Sequence, residues 1–125
     1  MRKYKIEVTE EQAAALRDAC EIAARIGMYQ LHDICRFLPF KSEIDKKNQE
    51  EIYSQLWEMY LHYTRTAMND YQKPEITNVL WDIYQVIRHR LAWDNDPEGS
   101  PIKGVHFDKP FKTAKCGFAK IDVIP

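Results

Sequence analysis

The sequence has few glycines and cysteines and almost no net charge. Its 125 residues include four glycines and three cysteines, and 18 basic against 19 acidic residues give a formal net charge of −1. Three widely spaced cysteines, Cys20, Cys35 and Cys116, are typical of reduced thiols in a cytosolic protein and not of a disulfide framework. The balanced charge argues against a duplex DNA-binding protein, which needs a net basic field. A small anionic ligand needs only two or three placed cations, so it stays possible.

Long apolar runs and catalytic motifs are also missing. No run approaches the ~18 apolar residues of a membrane span, and residues 1–8 lack the apolar core of a secretory signal. The sequence contains no G-x-S-x-G, H-E-x-x-H, Walker or G-x-G-x-x-G motif, and its four histidines show no metal-ligand spacing. We therefore expect a cytoplasmic protein that does not bind a membrane and holds no metal or cofactor. The missing motifs do not exclude an enzyme, because catalytic residues assemble in space, but no motif favours one.

Apolar residues are plentiful enough for one hydrophobic core. Of all residues 45% are hydrophobic and 12% aromatic, and the length is that of a single domain, here residues 1–125. Apolar positions recur with period two near both ends of the chain and at spacings of three and four between them. The pattern predicts an α+β fold with about four helices and a small antiparallel sheet formed by the N- and C-terminal strands. The predicted strands are residues 2–8, 102–107 and 118–124, and the predicted helices are residues 10–26, 28–38, 45–68 and 74–91.

Local signals support the ends of the first predicted helix. Thr9 and Gln12 have the spacing of a capping box, in which each side chain bonds to the main chain of the other residue. Gly27 is the expected left-handed residue after the helix, since that conformation costs glycine little. The second helix would then follow at once.

Prolines delimit the fourth predicted helix. Pro74 suits a first helical turn, where a missing N–H is no loss. Pro97 keeps Asp96 out of the helical region, so we expect the helix to end before Trp93. Residues 69–73 would form a turn that makes the third and fourth helices an antiparallel hairpin.

Two predicted helix ends carry cations. Arg25 precedes Gly27 and Met28, where the N–H groups at the start of the second helix would form an anion site. The alternative is an ordinary corner between two helices. Arg88 and Arg90 lie in the last turn of the fourth helix, where cations complement the helix dipole. They could also be paired with the acids that follow, or hold a phosphate with two-toothed contacts.

The loop after the fourth helix allows two further interpretations. Asp94, Asp96 and Glu98 alternate as metal ligands can, but the pattern of a calcium-binding loop is missing, which favours a solvated turn. Trp93 and Phe107 lie outside the regular apolar stripe, so they are candidates for stacking on a base.

Four segments of the chain, residues 3–12, 25–28, 81–94 and 120–124, carry a resemblance to a known family. They resemble the first type of the phage Thoeris anti-defense sponges. The string WDIYQVIRHRLAWD at residues 81–94 is the most specific of them, and the resemblance is weakest over residues 40–73. Tyr29 departs from the family pattern, which has a small residue after Met28, and its bulk would alter a pocket that Met28 lines.

The resemblance implies a binding protein and not an enzyme. Such sponges sequester cyclic ADP-ribose isomers made by bacterial TIR-domain proteins, so that the Thoeris effector is not activated, and some members also hold cyclic oligonucleotides at separate sites. Family pockets lie between protomers. We therefore expect a homodimer or an assembly of dimers in the infected host, and the surplus of Trp and Tyr on the third helix supports such an interface. The alternative is a phage accessory protein that uses this helix for protein–protein contact.

The candidate ligand-binding residues lie at helix ends or in the loops that follow them. They are Arg25, Gly27, Met28, Arg88, Arg90, Trp93, Asp94, Asn95, Phe107, Lys109 and Lys112. The arginines would contact the pyrophosphate, the two aromatic side chains would stack on the base, and the two lysines would close the pocket. The Asp94 carboxylate and the Asn95 amide would hold ribose hydroxyls or the base edge. Arg17, in the first helix, is expected to lie away from this site.

Overall fold

The computed structural model describes residues 1–37, 43–66, 72–98 and 104–125, and every regular element within these ranges is helical. The elements in chain order are α1 (Glu10–Gly27), a first 3-10 helix (Leu31–Phe37), α2 (Glu43–Thr66), α3 (Glu75–Asn95) and a second 3-10 helix (Val105–Phe107). The prediction of an α+β fold with an antiparallel sheet is therefore wrong for the described residues.

The start of α1 confirms the predicted capping box. Gln12 N donates to Thr9 Oγ1 at 3.1 Å, and Thr9 N donates to Gln12 Oε1 at 2.9 Å. Glu10 and Glu11 occupy the first turn, where the helix dipole favours negative charge. The predicted helix, residues 10–26, is one residue shorter than the observed one.

At the end of α1, the left-handed residue is not the one that was predicted. Tyr29, not Gly27, has a positive φ, of 64°. Gln30 N donates to Arg25 O at 2.8 Å and Tyr29 N donates to Ile26 O at 3.0 Å, which is the bond pattern of a Schellman motif with tyrosine in the position usually held by glycine. The turn separates α1 from the first 3-10 helix, which replaces the longer second helix predicted at residues 28–38.

Gly27 is instead required where α1 and α3 approach each other. A Cβ atom built on Gly27 would overlap Thr77 Oγ1 and would lie 2.9 Å from Thr77 Cγ2. Thr77 is buried in the first turns of α3. The end of α1 therefore meets the start of α3, and the two helices run antiparallel.

The hydrophobic core lies between α1 and α3. Ala13 of α1 packs with Ile87 and Leu91 of α3, and Ile83 and Ile121 cover this cluster. The small side chains of Ala13 and Ala14 on α1 allow close contact between the two helices.

The helix α3 is longer than predicted, because it continues through Trp93 to Asn95 and ends with Asp96 as its C-cap. Proline restricts the residue before it, Asp96, which has a φ of −143° and a ψ of 75°. The restriction does not reach Asn95, so the prediction that the helix ends before Trp93 placed the boundary too early.

The predicted strands are wrong because an alternation of apolar and polar residues does not by itself supply a neighbouring strand to pair with. Residues 2–8 are irregular, with Tyr4 and Ile6 largely exposed, and residues 118–124 are also irregular. The strand predicted at residues 102–107 includes residues 102 and 103, which lie outside the described ranges. Its last three residues, Val105–Phe107, form a 3-10 helix. An isolated strand without a partner is not stable in water.

An extended segment, residues 108–115, takes the place that a strand would have, and we call it the strap. It satisfies its main chain with side chains of α3. Gln85 is fully buried; its Oε1 accepts from Phe111 N at 3.1 Å and its Nε2 donates to Phe111 O at 2.9 Å. The buried carboxylate of Asp82 accepts from Thr113 N at 3.0 Å and from Ala114 N at 2.9 Å. The side chains of one helix thus supply the bonds that a neighbouring strand would otherwise provide.

The two ends of the strap bond to the two ends of the same helix face. Arg88 Nη2 donates to Asp108 O at 3.4 Å, and Glu75 Oε1 accepts from Lys115 N at 2.6 Å. Positions 75, 82, 85 and 88 are seven, three and three residues apart, so they lie along one side of the helix. The strap therefore runs antiparallel to α3 from Arg88 to Glu75.

The Glu75 contact makes this end of the strap sensitive to acid. The bond from Lys115 N is the main reason that the pKa of Glu75 lies below its ordinary value near 4.5, and Asn78 adds a second donor. A carboxylate with a lowered pKa stabilises the fold above its unfolded pKa, and the contribution is lost as the pH falls through the folded pKa. We expect the strap to detach at Lys115 as the pH falls through the folded pKa of Glu75, which lies below the ordinary value of 4.5. The chemical shift of the Lys115 amide would report this transition. A Glu75→Gln variant should lack this transition; a transition of equal size in the variant would contradict the assignment.

Helix α2 packs on the first 3-10 helix and not on α3, so the predicted antiparallel hairpin of these two helices is wrong for the described residues. His32 makes ring contacts with Tyr53, Trp57 and Tyr60, with centroid distances between 4.8 and 5.9 Å. Residues 67–71, which hold most of the predicted turn, lie outside the described ranges. None of the described helices is both long enough and apolar enough to cross a membrane.

Candidate functional site

Two grooves lie on either side of the second 3-10 helix and share Phe107. The first, which we call the aromatic groove, has a volume of about 440 Å³. Its lining is His89, Arg90, Trp93, Phe107 and Lys109. The Trp93 and Phe107 rings meet edge to face, with centroids 5.1 Å apart and an interplanar angle of 87°. Four of the predicted site residues are therefore together in one groove.

The cations of the aromatic groove differ in their pairing. Arg90 Nη2 lies 3.1 Å from Asp94 Oδ1, and Arg90 Nε donates to Asp94 Oδ2 at 3.1 Å. This is the pairing with a following acid that the sequence left open, and it holds both side chains at the groove. Lys109 is exposed at the mouth of the groove. An exposed pair of this kind contributes little to stability, so a ligand can compete for Arg90.

The second groove, which we call the arginine groove, has a volume of about 300 Å³. Its lining is Arg17, Arg88, Leu91, Ala92, Asn95, Asp96, His106 and Phe107. Arg17 of α1 faces the same space as Arg88 and Asn95 of α3, because the two helices are antiparallel. The expectation that Arg17 lies away from the candidate site is therefore wrong.

Arg88 is an unusual arginine for this chain. Its side chain is buried, with 6% exposure, and its guanidinium carbon lies 5.5 Å from the Tyr84 ring centroid. Its Nη2 makes the long bond to Asp108 O, and its Nε is buried without a hydrogen-bond acceptor. In the described ranges no carboxylate lies within 4.0 Å of it. Arg17, Arg25 and Arg90 each have a carboxylate within 3.1 Å.

The predicted residues at the corner after α1 lie elsewhere. Arg25 forms an ion pair with Glu21 at 2.9 Å, donates to Gln30 Oε1 at 2.8 Å, and lies 5.4 Å from the Trp81 ring centroid. Twelve residues of α3 separate Trp81 from Trp93, about 18 Å along the helix axis. Arg25, Gly27 and Met28 therefore belong to the far end of the α1–α3 pair from both grooves.

The N–H groups that the sequence offered as an anion site are engaged in the turn. Met28 N donates to Ala24 O at 3.0 Å, and the next two N–H groups are the donors of the Schellman motif. The ordinary corner between two helices is the interpretation that fits this geometry.

Lys112 also lies outside the grooves. Its Nζ donates to Lys115 O at 3.2 Å within the strap, next to the part of the strap that Asp82 holds. Of the two lysines predicted to close the pocket, the structure places only Lys109 at a groove.

Sequence reasoning missed Arg17, His106 and the polar face of α3. Asp82 and Gln85 are buried, yet they fall beside the apolar stripe that predicted the helix. A signal was present: Glu75, Asp82, Gln85 and Arg88 repeat with helical spacing, which is unusual for a helix that must be buried on most sides.

Burial raises the pKa values of Cys20 and Cys35, which keeps both thiols protonated at neutral pH. Within the described part of the chain, no group of three or more His, Cys, Asp or Glu side chains is placed to hold a metal ion.

Comparisons with known proteins add no family to this description. No protein-family model matches the chain, and neither the curated proteins nor the solved structures include a match.

Proposed function

We propose that the protein binds a cyclic ADP-ribose-type signalling nucleotide in the aromatic groove and returns it unaltered. The observation that carries the proposal is the edge-to-face pair of Trp93 and Phe107, with Arg90 and Lys109 beside it. Aromatic faces stack on bases, and guanidinium groups hold phosphates in two-toothed fashion. Sequestration of such a nucleotide requires this stacking and these phosphate contacts. Because the ligand is not cleaved, sequestration requires no general base.

In this proposal the protein is a phage anti-defense sponge that acts in the cytoplasm of the infected host. By holding the signal, it keeps the Thoeris effector from being activated. Competition with an effector requires nanomolar affinity, about 12 kcal/mol, and ligands bound so tightly are mostly enclosed. The aromatic groove is open to solvent in a single chain, so a second copy would be needed to cover the ligand.

Removing the stacking surface should weaken nucleotide binding strongly. Base–aromatic stacking is worth about 1–3 kcal/mol per base, so we expect Trp93→Ala to lower the affinity for cyclic ADP-ribose by about 5- to 150-fold in calorimetry. Lys112→Ala is the matched control, because Lys112 bonds within the strap, and it should bind like the wild type. Mass spectrometry of the released ligand should find it intact.

Three outcomes would count against this proposal. Failure of the wild type to bind at micromolar ligand, or equal affinity in the Trp93 and Lys112 variants, would remove the aromatic groove from the function. Recovery of hydrolysed ligand would replace sequestration with catalysis.

A second candidate function, protein–protein association, is favoured by the surface of α2. None of residues 46–66 of α2 is fully buried. Ile52, Leu56 and Met59 follow a spacing of four and three, which is the seam spacing of a pair of helices. Ile52 is 37% exposed and Met59 is 48% exposed. We propose that α2 pairs with α2 of a second copy in a homodimer or an assembly of dimers.

This association predicts a simple change in mass. Wild-type protein at micromolar concentration should show at least twice the chain mass of 14.8 kDa by light scattering, and Met59→Glu should shift it toward the monomer because a charge on the seam is costly to bury. Glu58→Gln, on the neighbouring exposed position, is the control. A monomeric wild type would contradict self-association, and α2 would then be a surface for a different protein.

A further inference from the structure

We infer that the arginine groove is a binding site for a phosphate group, held by Arg88 with Arg17 and His106. The inference stands on the surroundings of Arg88, a residue that the fold buries and leaves without a counter-charge. It goes beyond the proposed function by assigning a second subsite and by adding two residues to it.

The first step is the cost of burying Arg88. An arginine side chain keeps its charge in proteins, and a buried charge is costly unless it is paired and hydrogen-bonded. Arg88 is 6% exposed, its Nε has no acceptor, and its bond to Asp108 O is long at 3.4 Å. The other arginines of α1 and α3 have carboxylates to offset their charge. A bound anion would offset the charge of Arg88.

The second step is the chemistry around it. Arg17 and His106 line the same groove as Arg88, and the Asn95 side chain adds an amide donor. The Nε of Arg17 is engaged by Asp18 at 2.9 Å, which leaves its terminal nitrogens for a ligand. Two guanidinium groups in one groove suit the oxygens of a phosphate better than a single carboxylate. Asp96 is the one acidic residue in the lining, and it opposes an anion.

The third step connects the two grooves. Phe107 lines both, so a nucleotide whose base stacks in the aromatic groove can extend its phosphates past this ring into the arginine groove. This extension rests on the proposed function, whereas the phosphate site itself does not. The pyrophosphate contacts then come from Arg17 and Arg88, on two different helices, and not from Arg25.

The experiment measures binding of inorganic phosphate and pyrophosphate to the full chain by calorimetry. We expect wild-type binding that Arg88→Gln weakens by at least tenfold, the size of one charge-assisted contact. Arg17→Gln should weaken it several-fold, and Asp96→Asn should strengthen it by removing the repulsive charge. Arg65→Gln, at the exposed end of α2, is the matched control and should bind like the wild type.

The result that overturns the inference is a wild type that binds neither anion at millimolar concentration, or an Arg88 variant that binds as well as the wild type. If Arg88→Gln does not fold, the opposite shifts of Arg17→Gln and Asp96→Asn decide, and unchanged affinity in both overturns it. Competition separates the two proposals. Pyrophosphate binding without nucleotide binding leaves the phosphate site standing and removes the proposed function. Nucleotide binding that pyrophosphate does not displace removes the extension of the nucleotide into the arginine groove, and the affinity of the Arg88 variant for pyrophosphate still decides the phosphate site.

Discussion

Replacement of Asp82 by alanine is expected to destabilise the protein by about 3–5 kcal/mol, the cost of breaking a buried charged network. The Asp82 carboxylate is 4% exposed and accepts from Thr113 N, Ala114 N and Thr113 Oγ1. Without it, the N–H groups of Thr113 and Ala114 lose their acceptor, and the strap loses its central attachment to α3. Urea unfolding should show a much lower midpoint, and amide exchange should show loss of protection first in the strap.

Graded variants make the Asp82 prediction specific. Thr113→Val removes only the hydroxyl donor and should cost about 1 kcal/mol, the typical net value of one hydrogen bond. Asp122→Ala removes an exposed carboxylate of the same type and should change stability by less than about 0.5 kcal/mol. If Asp82→Ala and Asp122→Ala unfold at the same urea concentration, the strap is not held as described.

Replacement of Gly27 by alanine is expected to destabilise the protein by about 2–3 kcal/mol, through overpacking between two helices. Elsewhere in a helix, this change stabilises by about 1 kcal/mol, so the sign itself tests the structure. The new Cβ would lie 2.9 Å from Thr77 Cγ2 and 3.0 Å from Thr77 Cβ, which forces α1 and α3 apart. Thermal and urea unfolding measure the effect.

A double-mutant cycle identifies the cause. Combining Gly27→Ala with Thr77→Ala removes the atoms that clash most, so the two changes together should cost less than their sum by at least about 1 kcal/mol. Gly117→Ala is the control, because nothing lies within 4 Å of a Cβ added there. Additive costs, or a stabilising Gly27→Ala, would show that the helices are not in contact at this point.

The sequence predicted the helices well and their partners poorly. The α1 boundaries followed from Thr9, Gln12 and the apolar spacing, because capping and amphipathicity are local. The sheet was wrong because residues 2–8 alternate without a strand beside them, and alternation cannot show whether a neighbour exists. The role of Gly27 was also predicted wrongly. Its place after the first helix suggested a left-handed turn residue, but its close contact with Thr77 depends on tertiary packing, which no local pattern reports.

The candidate site was predicted in part, for a similar reason. The aromatic groove brings together Arg90, Trp93, Phe107 and Lys109. These residues are close in the sequence, and they meet because the second 3-10 helix folds back on the end of α3. Arg17 comes from the opposite end of the chain and meets Arg88 only through the antiparallel α1–α3 pair. No local pattern in the sequence reports that contact.

The attachment of the strap has a consequence for the order in which the protein can form during translation. A helix whose buried face is apolar can dock as soon as it leaves the ribosome. In α3, however, Asp82 and Gln85 lie on a face whose hydrogen bonds, within the described part of the chain, come from residues 111–114. Until those residues emerge, docking α3 on α1 would either bury unpaired polar groups or leave the face of Asp82 and Gln85 exposed to solvent. The nascent chain is therefore expected to hold α1 and α3 as separate, fluctuating helices, and to become resistant to protease in one step when the strap leaves the exit tunnel.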